Sequence, residues 1–340
     1  MLAKPRQIKP WPELVGMLPL LKSQDPINKS AKSAVHLDMA QVRRVDAIGL
    51  AIFIARMVQT LDECGSRLTF TPPIIEEVGK KLDSMGFKRH LESLGIAPDE
   101  HRDLFTNWEN VEIPDAVAAQ PLLSEYDEII CVPAEANVSR SDQLKRIKTQ
   151  IKSFLKKDEG RTFAHEQVMI ILLELAKNTL DHSGKPAVIG LRFAPTGEAR
   201  KFSFVYCDTG DGICHSVRRH MEEMSTFSSS EKSAELVVNY GRLAKKGSFS
   251  DFIHWALKPG NSTKRGNGVN LGLGLMLIVQ ASKHCGFRLS VKDADTMLTL
   301  TELANSREGE LSSPHTHALI RQLGVNTCAA PILMFHGEIE

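Results

Sequence analysis

Hydrophobic and polar positions change period several times along the chain, and each change marks an element. From Ala164 to Asp181 the run AHEQVMIILLELAKNTLD holds no Gly or Pro, and Val168, Ile171, Leu172 and Leu175 recur at spacings of three and four. That period predicts an amphipathic helix lying on a core. Lys201 to Cys207, KFSFVYC, is rich in β-formers and alternates in part, which predicts a strand. In the first third, Ala34–Met39 and Gly65–Phe70 read as strands. Asp46-Ala47-Ile48-Gly49-Leu50 opens an apolar helix over Ala51–Leu61, and a further helix begins over Glu76–Leu82. Gln143–Leu155 and Glu231–Leu243 carry helical patterns as well.

The breaks between these elements predict two units. Residues 1–30 contain Pro5, Pro10, Pro12, Pro19 and Pro26 and read as an irregular or extended segment. A join is expected between about 98 and 125, where Pro98, Pro114 and Pro121 interrupt polar sequence. This gives a unit over 31–110 and another over 120–340. Within the second, residues 213–271 read as a lid with helical pieces, its Ser225–Ser233 stretch polar and mobile.

Composition narrows the class. A chain of 340 residues with 42% hydrophobic and 24% charged residues can build sizeable cores in two domains. A formal net charge of +1 does not indicate nucleic-acid or membrane steering. No run reaches the roughly 18 apolar residues of a spanning helix, and the N-terminus lacks a signal peptide's apolar centre. Six scattered Cys without a Cys-x-x-Cys suit a reducing compartment, so a cytoplasmic location is expected, with no zinc site.

Three stretches in the second half carry chemistry. Glu174 follows the apolar run Ile170–Leu173, where a carboxylate is expensive unless something pairs with it. Asn178 and His182 follow at one-turn intervals on the same face. Glu174 can activate a water, and Asn178 can offer its amide oxygen to Mg²⁺. After the predicted strand comes Asp208-Thr209-Gly210-Asp211-Gly212-Ile213, whose glycines let the backbone approach a ligand. Asp208 can accept a hydrogen bond from an exocyclic amine such as that of adenine. The third stretch, Gly266 to Leu275, places Gly268, Gly272, Leu273 and Gly274 ahead of a helix whose free N–H groups attract phosphate. Thr263 and Lys264, just upstream, add a hydroxyl and a cation. Each stretch alone also suits a plain role: a solvent-facing Glu with a helix-end Asn, an Asp-Gly turn, a glycine loop. There is no Gly-x-x-x-x-Gly-Lys-Ser/Thr phosphate loop.

In order and spacing the three stretches resemble the ATP-binding domain shared by gyrase, a major heat-shock chaperone, histidine kinases and a mismatch-repair ATPase, the GHKL or Bergerat fold. Glu174, Asn178 and His182 resemble its N box, Asp208, Gly210 and Gly212 its first glycine box, and Gly272 and Gly274 its last. The resemblance implies Mg²⁺ on Asn178, the adenine amine on Asp208, and phosphates under the Gly266–Gly274 loop. It also implies a lid role for Thr263 and Lys264. The first third resembles a STAS domain, the fold of anti-sigma-factor antagonists, in its strand, Asp-x-x-Gly-Leu helix, strand, helix order. That family often carries a phosphorylatable serine where this chain has Ala47 and Ile48, so a docking role is expected there in place of a phosphorylation switch.

The fold expected is therefore α/β and α+β, a STAS-like mixed sheet with helices followed by a Bergerat α/β sandwich. The function expected is that of a regulatory protein that binds ATP with Mg²⁺ and hydrolyses it or transfers its phosphate, Glu174 serving as base. A serine kinase of the anti-sigma type is the enzymatic alternative to a plain ATPase. A non-enzymatic module that switches partner when it binds ATP is the other reading. A protein partner is expected through the STAS-like unit, and a homodimer is left open.

Overall fold

The computed structural model describes residues 6–8, 13–14, 35–64, 68–94, 125–133, 138–158, 162–196, 199–226, 234–258, 274–293, 296–300 and 333–339. Over these residues the chain is mixed α and β. The first part contains β1 (Arg6–Ile8), β2 (Glu13–Leu14), β3 (Val35–Asp38), β4 (Arg44–Val45), α1 (Ala47–Cys64), β5 (Leu68–Thr71), α2 (Glu76–Ser84) and α3 (Phe87–Ser93). The second contains β6 (Tyr126–Val132), α4 (Arg140–Leu155), α5 (Thr162–Asn178), β7 (Ala187–Thr196), β8 (Ala199–Asp208), α6 (Gly212–Thr226), α7 (Ala234–Lys246), α8 (Phe249–Leu257), α9 (Gly274–His284), β9 (Arg288–Asp293), β10 (Thr296–Thr299) and β11 (Leu333–Ile339). None of the described helices is long and apolar enough to cross a membrane.

Two expectations for the first part need correction. Residues 1–30 are not irregular throughout, because β1 pairs with β3 and β2 with β4. The prolines at 5, 10 and 12 flank the paired positions without occupying them, so no ladder donor is lost. The sheet β1-β3-β5 is parallel in both of its described pairings, where a mixed sheet was expected.

The larger sheet runs β10-β9-β11-β8-β7-β6 and is antiparallel throughout. Both of its faces are covered, so its central strands bury residues of both parities. On β8, Phe202, Phe204 and Tyr206 face the core shared with α4, α5 and α9, while Val205 and Cys207 face α1. On β7, Ile189, Leu191 and Phe193 take the first side and Val188 the second. Phe154, Phe193, Phe202, Phe204 and Phe287 form a chain of ring contacts under the helices, with neighbouring centroids 5.0 to 6.4 Å apart. Offset and tilted geometries of this kind add to plain area burial.

The first part forms the layer on the other face. Helix α1 lies across β7, β8 and β6, and its Ile48, Ala51 and Ile52 share one core with Ile129, Val188, Val205 and Cys207. Ile48, expected with Ala47 to offer an apolar tip to this chain's second unit or to a separate partner, is 2% exposed and packs within this chain. The tip is thus occupied by the chain's own sheet.

Gly190 on β7 permits this approach. A Cβ there would lie 2.3 Å from the Ala47 carbonyl oxygen and 2.9 Å from its carbon, both backbone atoms that cannot swing aside. Gly190→Ala should therefore destabilise the fold by about 1–3 kcal/mol, the usual cost of overpacking. Urea unfolding checks this, and an unchanged midpoint would mean that α1 can slide on the sheet freely.

Charge completes the junction. The Asp46 carboxylate caps α1 by accepting from Gly49 N at 2.8 Å, and Asp127 on β6 accepts from Ala47 N at 3.0 Å. Two carboxylates at the positive end of a helix are favourably placed. Arg192 on β7 pairs with Asp46 and reaches Glu125 at 2.9 Å, and Lys81 of α2 lies 2.5 Å from Asp127. Burial opposes the charge on Arg192, but Asp46, Asp127 and Glu125 together raise its pKa.

The segment expected as a lid is largely helical where described. Helices α6, α7 and α8 enclose their own small core of Val217, Met221, Ala244, Phe252 and Trp255. The predicted helix Glu231–Leu243 is found as Ala234–Lys246, and most of the Ser225–Ser233 stretch lies outside the described residues.

Candidate functional site

Helix α5 buries Val168, Ile171, Leu172, Leu175 and Ala176 against the sheet. Its apolar periodicity leaves Glu174 and Asn178 half-buried at the edge of that contact. Lys177 Nζ lies 3.5 Å from Glu174 Oε2, an intermediate pairing that leaves the second carboxylate oxygen uncommitted to it.

Helix α9 begins at Gly274, directly against these two side chains. A Cβ on Gly274 would stand 3.3 Å from Glu174 Oε2, 3.4 Å from Asn178 Oδ1 and 3.6 Å from Asn178 Nδ2. The glycine keeps the first turn of α9 low over the carboxylate and the amide. The opening N–H groups of α9 have no partners within the helix, and its dipole favours negative charge there. Among the described residues no group of three or more His, Cys, Asp or Glu side chains gathers in metal-binding geometry. A cation at this point could take the Asn178 amide oxygen and draw its remaining ligands from water and a bound anion, the habit of Mg²⁺.

Beyond Asn178 the helix widens into a single π turn, Thr179–Ser183, before Gly184 closes it in the left-handed region at φ 59°. Such turns often mark functional sites. Here the turn faces Asp208, the last residue of β8, which by alternation shares its side with Tyr206 and Phe204. Thr179 donates its hydroxyl proton to Asp208 Oδ2, and Gly210 N donates to Oδ1 at 2.7 Å. Tyr206 O–H in turn donates to Thr179 Oγ1 at 2.8 Å. Burial raises the Asp208 pKa above the usual carboxylate value, and these donors act against the rise.

The turn after Asp208 needs both of its glycines. Gly212 sits at φ 78°, a conformation open to glycine at no steric cost. A Cβ on Gly210 would fall 2.3 Å from Ser183 Oγ and 2.9 Å from Asp208 Oδ1, crowding both. Thr209 ties the turn to the end of α5's loop by donating N–H and O–H to Pro186 O at 3.2 and 2.6 Å.

Of the residues singled out in the sequence, Gly274 lies against Glu174 and Asn178, and Asp208 and Gly210 lie against the Thr179–Ser183 turn that follows Asn178, with Gly212 next in the same β8–α6 turn. Thr263, Lys264, Gly268, Gly272 and Leu273 lie outside the described residues, as does the His182 side chain. Sequence reasoning missed Thr179, Ser183 and Tyr206. The alternation of β8 could have placed Tyr206 beside Asp208, but nothing in the residue pattern announces the π turn.

Comparison with protein-family models, with curated proteins and with solved structures finds no match to this chain.

Proposed function

We propose that the chain is an ATP-binding regulatory protein, a GHKL-type nucleotide domain backed by a STAS-like layer. The reading is supported above all by one juxtaposition. Gly274 opens a helix against Glu174 and Asn178, while Thr179, the next residue after Asn178, holds the Asp208 carboxylate. A nucleotide needs an acceptor for its base, a positive helix end for its phosphates and oxygen ligands for its cation, and these stand side by side here.

In this reading Asp208 accepts the adenine amine, Asn178 holds Mg²⁺, and the resemblance assigns the phosphates to the Gly266–Gly274 stretch and a lid role to Thr263 and Lys264. Bound ATP supplies the phosphoryl group. Glu174 takes the proton of the attacking water, or of a substrate hydroxyl, as that oxygen bonds to phosphorus and the bond to the leaving diphosphate breaks. Lys177 at 3.5 Å steadies the carboxylate without capturing it.

Calorimetry with ATP and GTP in the presence of Mg²⁺ tests the assignment. ATP should bind more tightly, because the guanine carbonyl would meet a carboxylate and leave acceptors unpaired. Asp208→Asn should weaken ATP binding by about 1–3 kcal/mol, the cost of a lost polar contact. Equal affinities for the two nucleotides would remove Asp208 from the base site.

A further inference from the structure

The hydroxyl chain behind Asp208 has a direction. Tyr206 is 1% exposed and its hydroxyl faces Thr179 Oγ1 at 2.8 Å, so the phenol proton goes to Thr179. Thr179 has one proton of its own, and with its oxygen already accepting, that proton points to Asp208 Oδ2. Gly210 N holds Oδ1 at 2.7 Å. A carboxylate offers roughly four lone-pair positions. Two protein donors, one on each oxygen, fix the plane of the group, and what remains can only accept. Thr179 and Tyr206 are both buried, so neither can exchange its partner for water.

We propose that Thr179, backed by Tyr206, is a positioning residue for base selection: the chain Tyr206 to Thr179 to Asp208 holds the carboxylate as a fixed acceptor, so the site takes a purine with an exocyclic amine and rejects one with a carbonyl at that ring position. This rests on the nucleotide-binding reading above and adds the residues that enforce it. Inosine triphosphate is the sharp probe, because its base carries a carbonyl in place of the amine at that ring position, with a proton gained on the adjoining ring nitrogen and the rest of the nucleotide unchanged.

The experiment compares Mg²⁺-ATP and Mg²⁺-inosine triphosphate binding to the full chain and to Thr179→Val, Thr179→Ser and Tyr206→Phe. Wild type should prefer ATP by roughly tenfold or more, as a site built around one hydrogen bond does. Thr179→Val should bring the two affinities to within about threefold, since the carboxylate then loses its fixed orientation. Thr179→Ser should restore the preference, and Tyr206→Phe should fall between. A purely structural role for Thr179 would weaken both ligands alike and leave the ratio unmoved. A wild-type ratio in Thr179→Val overturns this inference and leaves the nucleotide reading standing. Wild-type protein that binds neither triphosphate overturns both. If Thr179→Val fails to fold, Tyr206→Phe decides, and an unchanged ratio there also overturns the proposal.

Discussion

Arg192→Ala should destabilise the whole fold by about 3–5 kcal/mol, the cost of leaving buried charge without its partner. The size follows from burial. The Arg192 side chain is 14% exposed, and those of Asp46 and Asp127 are 2% and 1%, so solvent screening cannot absorb the loss as it would at a surface pair. Lys81 would still hold Asp127, but Asp46 would lose the guanidinium that faces it. The two layers share Arg192, so both should melt together and earlier. Urea unfolding followed by tryptophan fluorescence and by circular dichroism reads this. A loss within about 1 kcal/mol would place the cluster in the class of screened surface pairs. Two separate transitions would show that the layers are not one cooperative unit.

Glu174→Ala should leave nucleotide affinity within a few-fold of wild type and lower turnover by about 10²–10⁴, the usual contribution of a positioned base. Glu174 sits one helical turn from Asn178, beneath the start of α9, and its side chain is 20% exposed. It does not support the core, so removing it should not disturb the helix. Phosphate release from ATP, with and without candidate protein substrates, measures the effect. A variant that turns over at the wild-type rate would make Glu174 a structural residue and favour the partner-switching reading, in which nucleotide binding alone carries the signal.

Legibility followed distance along the chain. The apolar stripe of α5 is a local pattern, so the helix and the exposure of Glu174 and Asn178 were readable from residues 164–181. The two glycines after Asp208 were readable as a close turn. The contacts that shape the site were less so. Thr179 meets Asp208 across 29 residues, and Arg192 meets Asp46 across 146. No periodicity encodes which partners such residues find. Ile48 shows the same limit: an apolar residue at a helix start suits a core or a docking tip equally, and only the sheet lying over it decides. The strands at Arg6–Ile8 and Glu13–Leu14 are shorter than any window in which alternation can be counted, and the prolines around them point toward irregular chain.

The placement of β11 has a consequence for how the molecule is made. Although it follows all the other described elements in the sequence, it lies inside the sheet, between β8 and β9, and Leu333 pairs directly with Asp208. Until residues 333–339 arrive, β8 and β9 have no common neighbour, and the sheet exists as two halves. During synthesis β8 would therefore wait with one edge unpaired, open to association with other chains. Pairings this remote in sequence also form slowly. Removing residues 333–339 would split the sheet at its centre, next to Asp208.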